Sequence, residues 1–242
     1  ALNFSGNAPK LADPEKYTEE AKNIGSWAPL VPGNVAGWLE IQETLGVLDR
    51  EIVFEDAINY AKNGFPVTHF HHTMFTKSVP RLNKFPSGEI ILNNGKAPSP
   101  GTKIIMPELA KSLELIAKHG ADEFYRGSIS KKIIESMKLY GGLISEEDLD
   151  SVKAEWMDPL TVKYKDYEVS TVPPNSSGFQ ILETLKILET FPNEKIKFQD
   201  PDFVHHFIET VKLAATDRIA YGGDQSINIT PTDKLLSDSY AA

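Results

Sequence analysis

The sequence predicts a helix-rich α+β chain with a sheet too small to close a core on its own. Most apolar residues after position 34 recur at spacings of three and four, which is typical of helices. Strict alternation of apolar and polar residues is confined to residues 160–171. One hairpin among many helices leaves the layers incomplete, so we expect a partner segment to complete the sheet. The residues alone leave an α/β arrangement open.

The N-terminal part predicts a loop followed by helices. Glycine and proline punctuate residues 1–34 throughout, at Gly6, Pro9, Pro14, Gly25, Pro29, Pro32 and Gly33. Apolar residues at helical spacing from Val35 predict a first helix that ends at Gly46. A second predicted helix, 52–63, precedes Gly64, which suits a left-handed cap. A third follows Phe65 and continues through Met74.

The middle of the chain predicts three further helices after a punctuated loop at 83–103. Residues 107–119 form the first, because Pro107 fits a first turn and Gly120 follows the last apolar position. Residues 129–137 form the second, which the glycine pair at 141–142 stops. Ser145, followed three residues later by Asp148, predicts a capping-box start for the third.

The last third predicts a β-hairpin and two helices. Residues 160–164 and 167–171 alternate, with Lys165 and Asp166 at the turn. A helix is expected from Ser177 or Gly178 to Glu189, and a long one from about Asp202 to Tyr221. On the long helix, Glu209 and Lys212 are three residues apart and predict an exposed ion pair.

Composition excludes several classes of function. The formal charge of -9 and the absence of basic runs argue against a nucleic-acid partner. No apolar stretch reaches the roughly 20 residues of a membrane span. Cysteine is absent, which removes thiolate catalysis and thiolate metal sites and leaves the compartment undecided.

A histidine cluster and a serine pair could bind a metal or a substrate, but each also has a purely structural explanation. His69, His71 and His72 lack further ligands at zinc-binding spacing, so we expect a surface cluster and no metal. The string around Ser176 and Ser177 lacks the first glycine of a nucleophile elbow. The two hydroxyls suit caps of the following helix, and contact with substrate is the alternative. The helix start also suits an anionic group.

Several strings in order resemble the γ-glutamyltranspeptidase family. They are V-P-G-N-V-A-G at 31–37, N-G-F-P-V at 63–67, D-E-F-Y-R-G at 122–127, G-G-L-I at 141–144, P-P-N-S-S-G at 173–178 and K-L-A-A-T-D-R at 212–218. These motifs extend over nearly the whole chain. The resemblance implies the large-subunit part of an N-terminal-nucleophile hydrolase, an αββα sandwich, with residues 1–242 as a single partial domain.

The resemblance also implies the chemistry. In the family, the precursor cuts itself and the new N-terminal Thr of a small subunit becomes the nucleophile, activated by its own α-amino group. We therefore expect a small-subunit partner, a small-molecule γ-glutamyl substrate, no cofactor and no catalytic residue in this chain. Thr230 and Thr232 lie in a loop-like string, and no T-T-H-like junction occurs.

One departure from the family bears on specificity. The family's D-F-R-E-x-A-P segment aligns with residues 3–9, which places Ser5 at the Arg that holds the α-carboxylate of the γ-glutamyl group and Gly6 at the Glu. Ser5, Ser176 and Ser177 are the candidate substrate-binding residues. Loss of the Arg keeps open an amidase or acylase for another acyl group, or a non-catalytic paralogue.

Overall fold

The computed structural model describes residues 1–192, 200–225 and 227–242. In chain order, the helices are α1 (Asn34–Leu45), α2 (Arg50–Asn63), α3 (His69–Leu82), α4 (Pro107–His119), α5 (Ala121–Tyr125), α6 (Ser128–Leu139), α7 (Glu146–Asp150), α8 (Gly178–Glu189), α9 (Pro201–Tyr221), α10 (Thr232–Leu235) and α11 (Asp238–Ala241). The strands are β1 (Leu2–Asn3), β2 (Phe65–Pro66), β3 (Lys103–Ile104), β4 (Glu155–Trp156), β5 (Leu160–Tyr164) and β6 (Tyr167–Thr171).

The chain divides into two compact units. Unit 1 contains Ala1–Asn7 and Ala154–Ala242, and unit 2 contains Ala8–Lys153. No helix in the part of the chain that the structure describes is long and apolar enough to cross a membrane.

Unit 2 is a helical unit built on one apolar core. Its buried residues come from the loops before α1 and α7 and from α1, α2, α4, α5, α6 and α7, and they are Val31, Val35, Leu39, Phe54, Ile116, Ala117, Tyr125, Ile129, Ile144 and Leu149. The Tyr125 hydroxyl donates to the Pro32 carbonyl oxygen at 2.8 Å and accepts from the Ala36 backbone N–H at 3.1 Å. The Ala36 N–H lies in the first turn of α1, where N–H groups have no hydrogen-bond partner within the helix, and the Tyr125 hydroxyl supplies that partner.

The helix ends in unit 2 follow the predicted signals. α4 has the predicted bounds, and Gly64 and Gly120 follow α2 and α4 with φ of 82° and 77°, where a side chain would be strained. Ser145 accepts from the Asp148 backbone N–H in a capping box that starts α7. α3 extends to Leu82, beyond the predicted Met74; Thr68 caps its start, and Pro80 lies within its last turn. The short helix α5 was not predicted.

Unit 1 contains the hairpin and the α8–α9 pair. β5 and β6 are antiparallel, with Val162 opposite Val169, as the alternation predicts. Buried residues of α8, among them Phe179, Leu182 and Ile187, form its core with Val162, Ala214 and Leu235. β1 pairs with β4, and β2 pairs with β3 in unit 2, so the described strands form three two-stranded sheets. The small sheet predicted from sequence is confirmed, while the layered sandwich is not formed by these strands.

Candidate functional site

Ser5 lies in an N-terminal segment that is held on β4. Leu2 pairs with Trp156 and Asn3 with Glu155, and the Ala1 carbonyl oxygen accepts from the Met157 N–H at 2.8 Å. The Ser5 backbone N–H donates to Asn3 Oδ1 at 3.1 Å, which tightens the turn after β1. Ser5 itself is exposed. The pairing therefore fixes the backbone at Ser5 and leaves the residue accessible to solvent.

Ser176 and Ser177 lie between β6 and α8. The Ser176 N–H donates to the Pro173 carbonyl oxygen at 3.3 Å, and Ser176 is half-buried. Ser177 occupies the N-cap position of α8, but its side chain makes no capping hydrogen bond. The capping role that the sequence suggested for Ser177 is therefore wrong, because its hydroxyl does not reach the free N–H groups of the first turn.

Gly178 brings the start of α8 against the end of β6. A Cβ at this position would lie 2.3 Å from Thr171 Oγ1 and 2.7 Å from the Val172 carbonyl oxygen. Both distances are shorter than real contacts, so only glycine fits this approach. The close packing sets the position of the two preceding serines relative to the hairpin.

The three candidate residues lie in the same unit and are not joined by hydrogen bonds. Among the described residues, no hydrogen bond joins Ser5 to Ser176 or Ser177. Thr230 is buried, donates to the Tyr221 carbonyl oxygen at 2.8 Å and accepts from Gln225 Nε2 at 3.0 Å, so its hydroxyl is committed to the loop.

Sequence reasoning missed a buried acid on α8. Glu183 is fully buried between Phe179 and Ile187, at the four-residue spacing of the apolar face. Burial and the neighbouring Asp217 raise the pKa of Glu183 to about 8. The spacing was a readable signal, because an acid at a core position of an amphipathic helix is unusual.

The histidine cluster makes local contacts. His71 shares a capping box with Thr68, accepting from the Thr68 N–H at 3.4 Å, and His72 Nδ1 lies 2.9 Å from the Pro98 carbonyl oxygen. Within the described ranges, no three His, Asp or Glu side chains are grouped as a metal site requires.

Comparisons with known proteins cover the whole chain. The family model described as gamma-glutamyltranspeptidase matches residues 1–242. A protein named glutathione hydrolase proenzyme from Pseudomonas sp. (strain A14) is 34% identical, over 100% of this chain and 44% of its own length. An acylase named ACY 1 proenzyme from Pseudomonas sp. (strain SE83) is 32% identical, over 94% of this chain and 41% of its own length.

A solved structure shows the same fold. The Helicobacter pylori gamma-glutamyltranspeptidase superposes with a TM-score of 0.92 at 27% identity, covering 99% of this chain and 72% of that chain. This chain thus spans less than half of the length of the two relatives above and corresponds to a large-subunit region. The resemblance carried by the motifs is confirmed, and the chain belongs to the gamma-glutamyltranspeptidase family.

Proposed function

We propose that this chain is the large-subunit part of an enzyme that transfers or hydrolyses γ-glutamyl amides such as glutathione. The observation that carries the proposal is a family match over all of residues 1–242, with relatives named as proenzymes that are more than twice as long as the matched region. The nucleophile is a Thr in the remainder of the precursor, so this chain is inactive by itself.

The reaction proceeds through a covalent intermediate. The Thr α-amino group, directly or through water, takes the hydroxyl proton while the oxygen attacks the γ-carbonyl carbon. Backbone amides and serines of the small subunit hold the oxyanion, the amine leaves with a proton, and a γ-glutamyl ester remains. Water or an amino acid then attacks the ester and regenerates the Thr hydroxyl. This chain contributes substrate contacts from Ser5, Ser176 and Ser177.

Exposed apolar residues on α9 support a small-subunit partner. Thr210 and Ala214 are buried on the side of α9 that packs against α8, whereas Val204, Ile208 and Ile219 are exposed on its other side. A helix that is apolar on two sides is typical of one buried between two layers. The second layer is a segment of the same precursor, which completes an αββα sandwich of which residues 1–242 are a single partial domain.

The partner can be tested by co-purification. We expect the small subunit to stay bound to this chain through size exclusion, and Ile208→Glu to release it. Glu209→Gln, an exposed change at the next position, is the matched control and leaves the complex intact. A chain that runs as a monomer with a cooperative, high-temperature unfolding transition would contradict the proposal.

Specificity rests on Ser5. A hydrogen bond from a charged group to a carboxylate contributes about 1.5–3 kcal/mol, roughly a factor of 10 to 150 in binding. If Ser5 occupies the place of the family Arg, Ser5→Arg in the complete enzyme raises kcat/KM for a γ-glutamyl anilide by that order. It has less effect on an acyl donor without an α-carboxylate. Asn7→Arg is the matched control, since it adds the same charge two residues away on another exposed residue.

The second candidate function is an acylase for a different acyl group. The absence of the Arg favours it, as does 32% identity to a protein named acylase. Efficient turnover of the γ-glutamyl anilide by the unaltered enzyme, with Ser5→Arg neutral or harmful, would remove Ser5 from the specificity argument. Absence of a Thr at the precursor junction would leave a non-catalytic paralogue.

A further inference from the structure

The carboxyl group of Glu183 lies in the interior of unit 1, and the group that it interacts with there is a second acid, Asp217. Glu183 is fully buried, and among the described residues no N–H or O–H group donates a hydrogen bond to either carboxyl oxygen. The neighbouring acid that raises the pKa of Glu183 is Asp217 on α9. We call Glu183 and Asp217 the carboxyl pair. A charged carboxylate in this position faces both a desolvation cost and like-charge repulsion.

The helix α11 packs against α8 and contacts the carboxyl pair through Asp217. The Tyr240 hydroxyl donates to Asp217 Oδ1 and Oδ2 at 3.1 and 3.0 Å. Lys186 of α8 forms an ion pair with Asp238 at the start of α11, and Ala241 is buried. Tyr240 and Glu183 also interact electrostatically. The carboxyl pair and α11 are therefore in one electrostatic environment.

None of the other charged groups described around α8 neutralises a negative charge on Glu183. On α9, Asp217 and Tyr221 are the titratable groups of this environment, and on α11 they are Tyr240 and Asp238. On α8 itself, Lys186 is engaged by Asp238 and by Glu189. In the hairpin, Lys163 and Glu168 are exposed and lie opposite each other in the strand register. The Tyr240 hydroxyl donates to Asp217, whereas no described group donates to Glu183, so Glu183 is the member of the pair that holds a proton.

We propose that the carboxyl pair controls the docking of α11 through a proton. α11 stays docked while Glu183 is protonated, and it loosens once two carboxylates face each other beneath it. Opening of α11 admits water to Glu183, which lets the acid ionise at its ordinary pKa. The proposal does not depend on the acyl-transfer reaction, so it stands or fails independently of the proposed function.

The direction of the effect follows from proton linkage. The pKa of Glu183 is about 8 in the folded chain and 4.5 in its ordinary, water-exposed state. The docked state therefore holds one more proton than the open state between these values, and its stability falls with rising pH. The stabilisation is fully present below 4.5 and is lost as the pH rises through about 8.

Hydrogen exchange in the complete protein tests this. The amides of Ala241 and Ala242 donate within the α11 turn and report its opening. With fast reclosing, the exchange rate is the product of the opening equilibrium and a chemical rate that rises tenfold per pH unit. Proton linkage adds up to another tenfold per unit, so the logarithm of the rate rises by about two per pH unit between pH 5.5 and 7.5. For the amides of α4 in unit 2, the logarithm of the exchange rate rises by only about one per pH unit.

Two variants separate the carboxyl pair from a general effect of pH. Glu183→Gln removes the titrating carboxyl group, so the slope of the logarithm of the α11 exchange rate against pH falls to about one. Glu209→Gln removes an exposed carboxylate on α9 and leaves the slope at two. If Glu183→Gln does not fold, Asp217→Asn serves instead: it lowers the pKa of Glu183, and the steep range ends at a lower pH. A slope of one in the unaltered protein, or of two in Glu183→Gln, would overturn the proposal.

Discussion

The two units treat their buried acids differently. In unit 2, the buried Asp148 accepts from the Lys10 N–H at 3.0 Å, the Ser145 N–H at 2.8 Å and the Ser145 hydroxyl at 2.7 Å. Burial alone would raise the pKa of Asp148, but these hydrogen bonds outweigh it and hold the pKa below its usual value. Unit 2 thus stabilises the charged form of its buried acid.

Unit 1 gives its buried acid no such donors among the described residues, and the neighbour of Glu183 is a second acid, Asp217. The orphan polar atoms found among the described residues are both carboxyl oxygens of Glu183 and the hydroxyl of Thr210, on α8 and α9. Each costs stability that an apolar side chain of the same shape would not cost. The difference indicates that unit 2 is built mainly for stability, whereas the α8–α9 pair retains groups whose cost calls for another explanation.

The largest expected effect is in unit 2. Asp148→Ala removes a capping partner and three hydrogen bonds to a buried charge, so we expect a loss on the order of 2–4 kcal/mol in the free energy of unfolding. Denaturant unfolding of the complete protein at pH 7 measures it. Because the pKa of Asp148 is lowered in the folded state, its contribution is present above the ordinary value of 3.8 and is lost as the pH falls. A variant as stable as the unaltered protein would contradict the comparison.

The opposite sign is expected in unit 1. Glu183→Met replaces the buried acid by an apolar side chain of similar length, and the free energy of unfolding at pH 8 should rise by about 1–3 kcal/mol. The gain should shrink toward pH 5, because the cost of keeping Glu183 protonated in the folded chain grows only as the pH rises above its ordinary pKa of 4.5. Destabilisation at pH 8 would show that Glu183 has a partner that stabilises its charge.

The smallest effect comes from two threonines in the same helix pair. Thr210→Val removes an orphan hydroxyl while keeping the shape, and we expect a gain of about 1 kcal/mol. Thr184→Val is the matched control, since its hydroxyl donates to the Gln180 carbonyl oxygen at 2.7 Å, and it should lose about 0.5–1.5 kcal/mol. Equal effects of the two changes would mean that the orphan hydroxyl is satisfied in solution.

Elements with strong local signals were predictable from the sequence. The bounds of α4 and the hairpin follow from Pro107, Gly120 and the alternation at 160–171, because each signal acts within a few residues. The short helix α5 and the two-residue strands were not predictable. β1 forms only because residues 155–156 lie beside it, a pairing of distant segments that local patterns do not encode.

The candidate site was predictable only through motifs. Ser5, Ser176 and Ser177 were identified by position in family strings, and the structure assigns none of them a partner that reveals a role. The Ser177 cap failed because a residue type favoured at helix starts does not determine where its hydroxyl points. Glu183 was missed because a pattern of apolar residues says where the core lies, and the pairing with Asp217 and Tyr240 depends on how three helices meet.

The Tyr125 hydroxyl has a consequence for recombining this chain with its relatives. One atom joins the segment around Pro32 and Ala36 to a helix about ninety residues further along the sequence. Either parent supplies the two backbone partners, so a chimera with a crossover between them keeps the contact only when the parent that supplies residue 125 has a phenol there. Crossovers placed before residue 31 or after residue 127 keep the three groups from one parent. Libraries of hybrid proteins should therefore yield more folded members at those outer breakpoints than at breakpoints inside the interval.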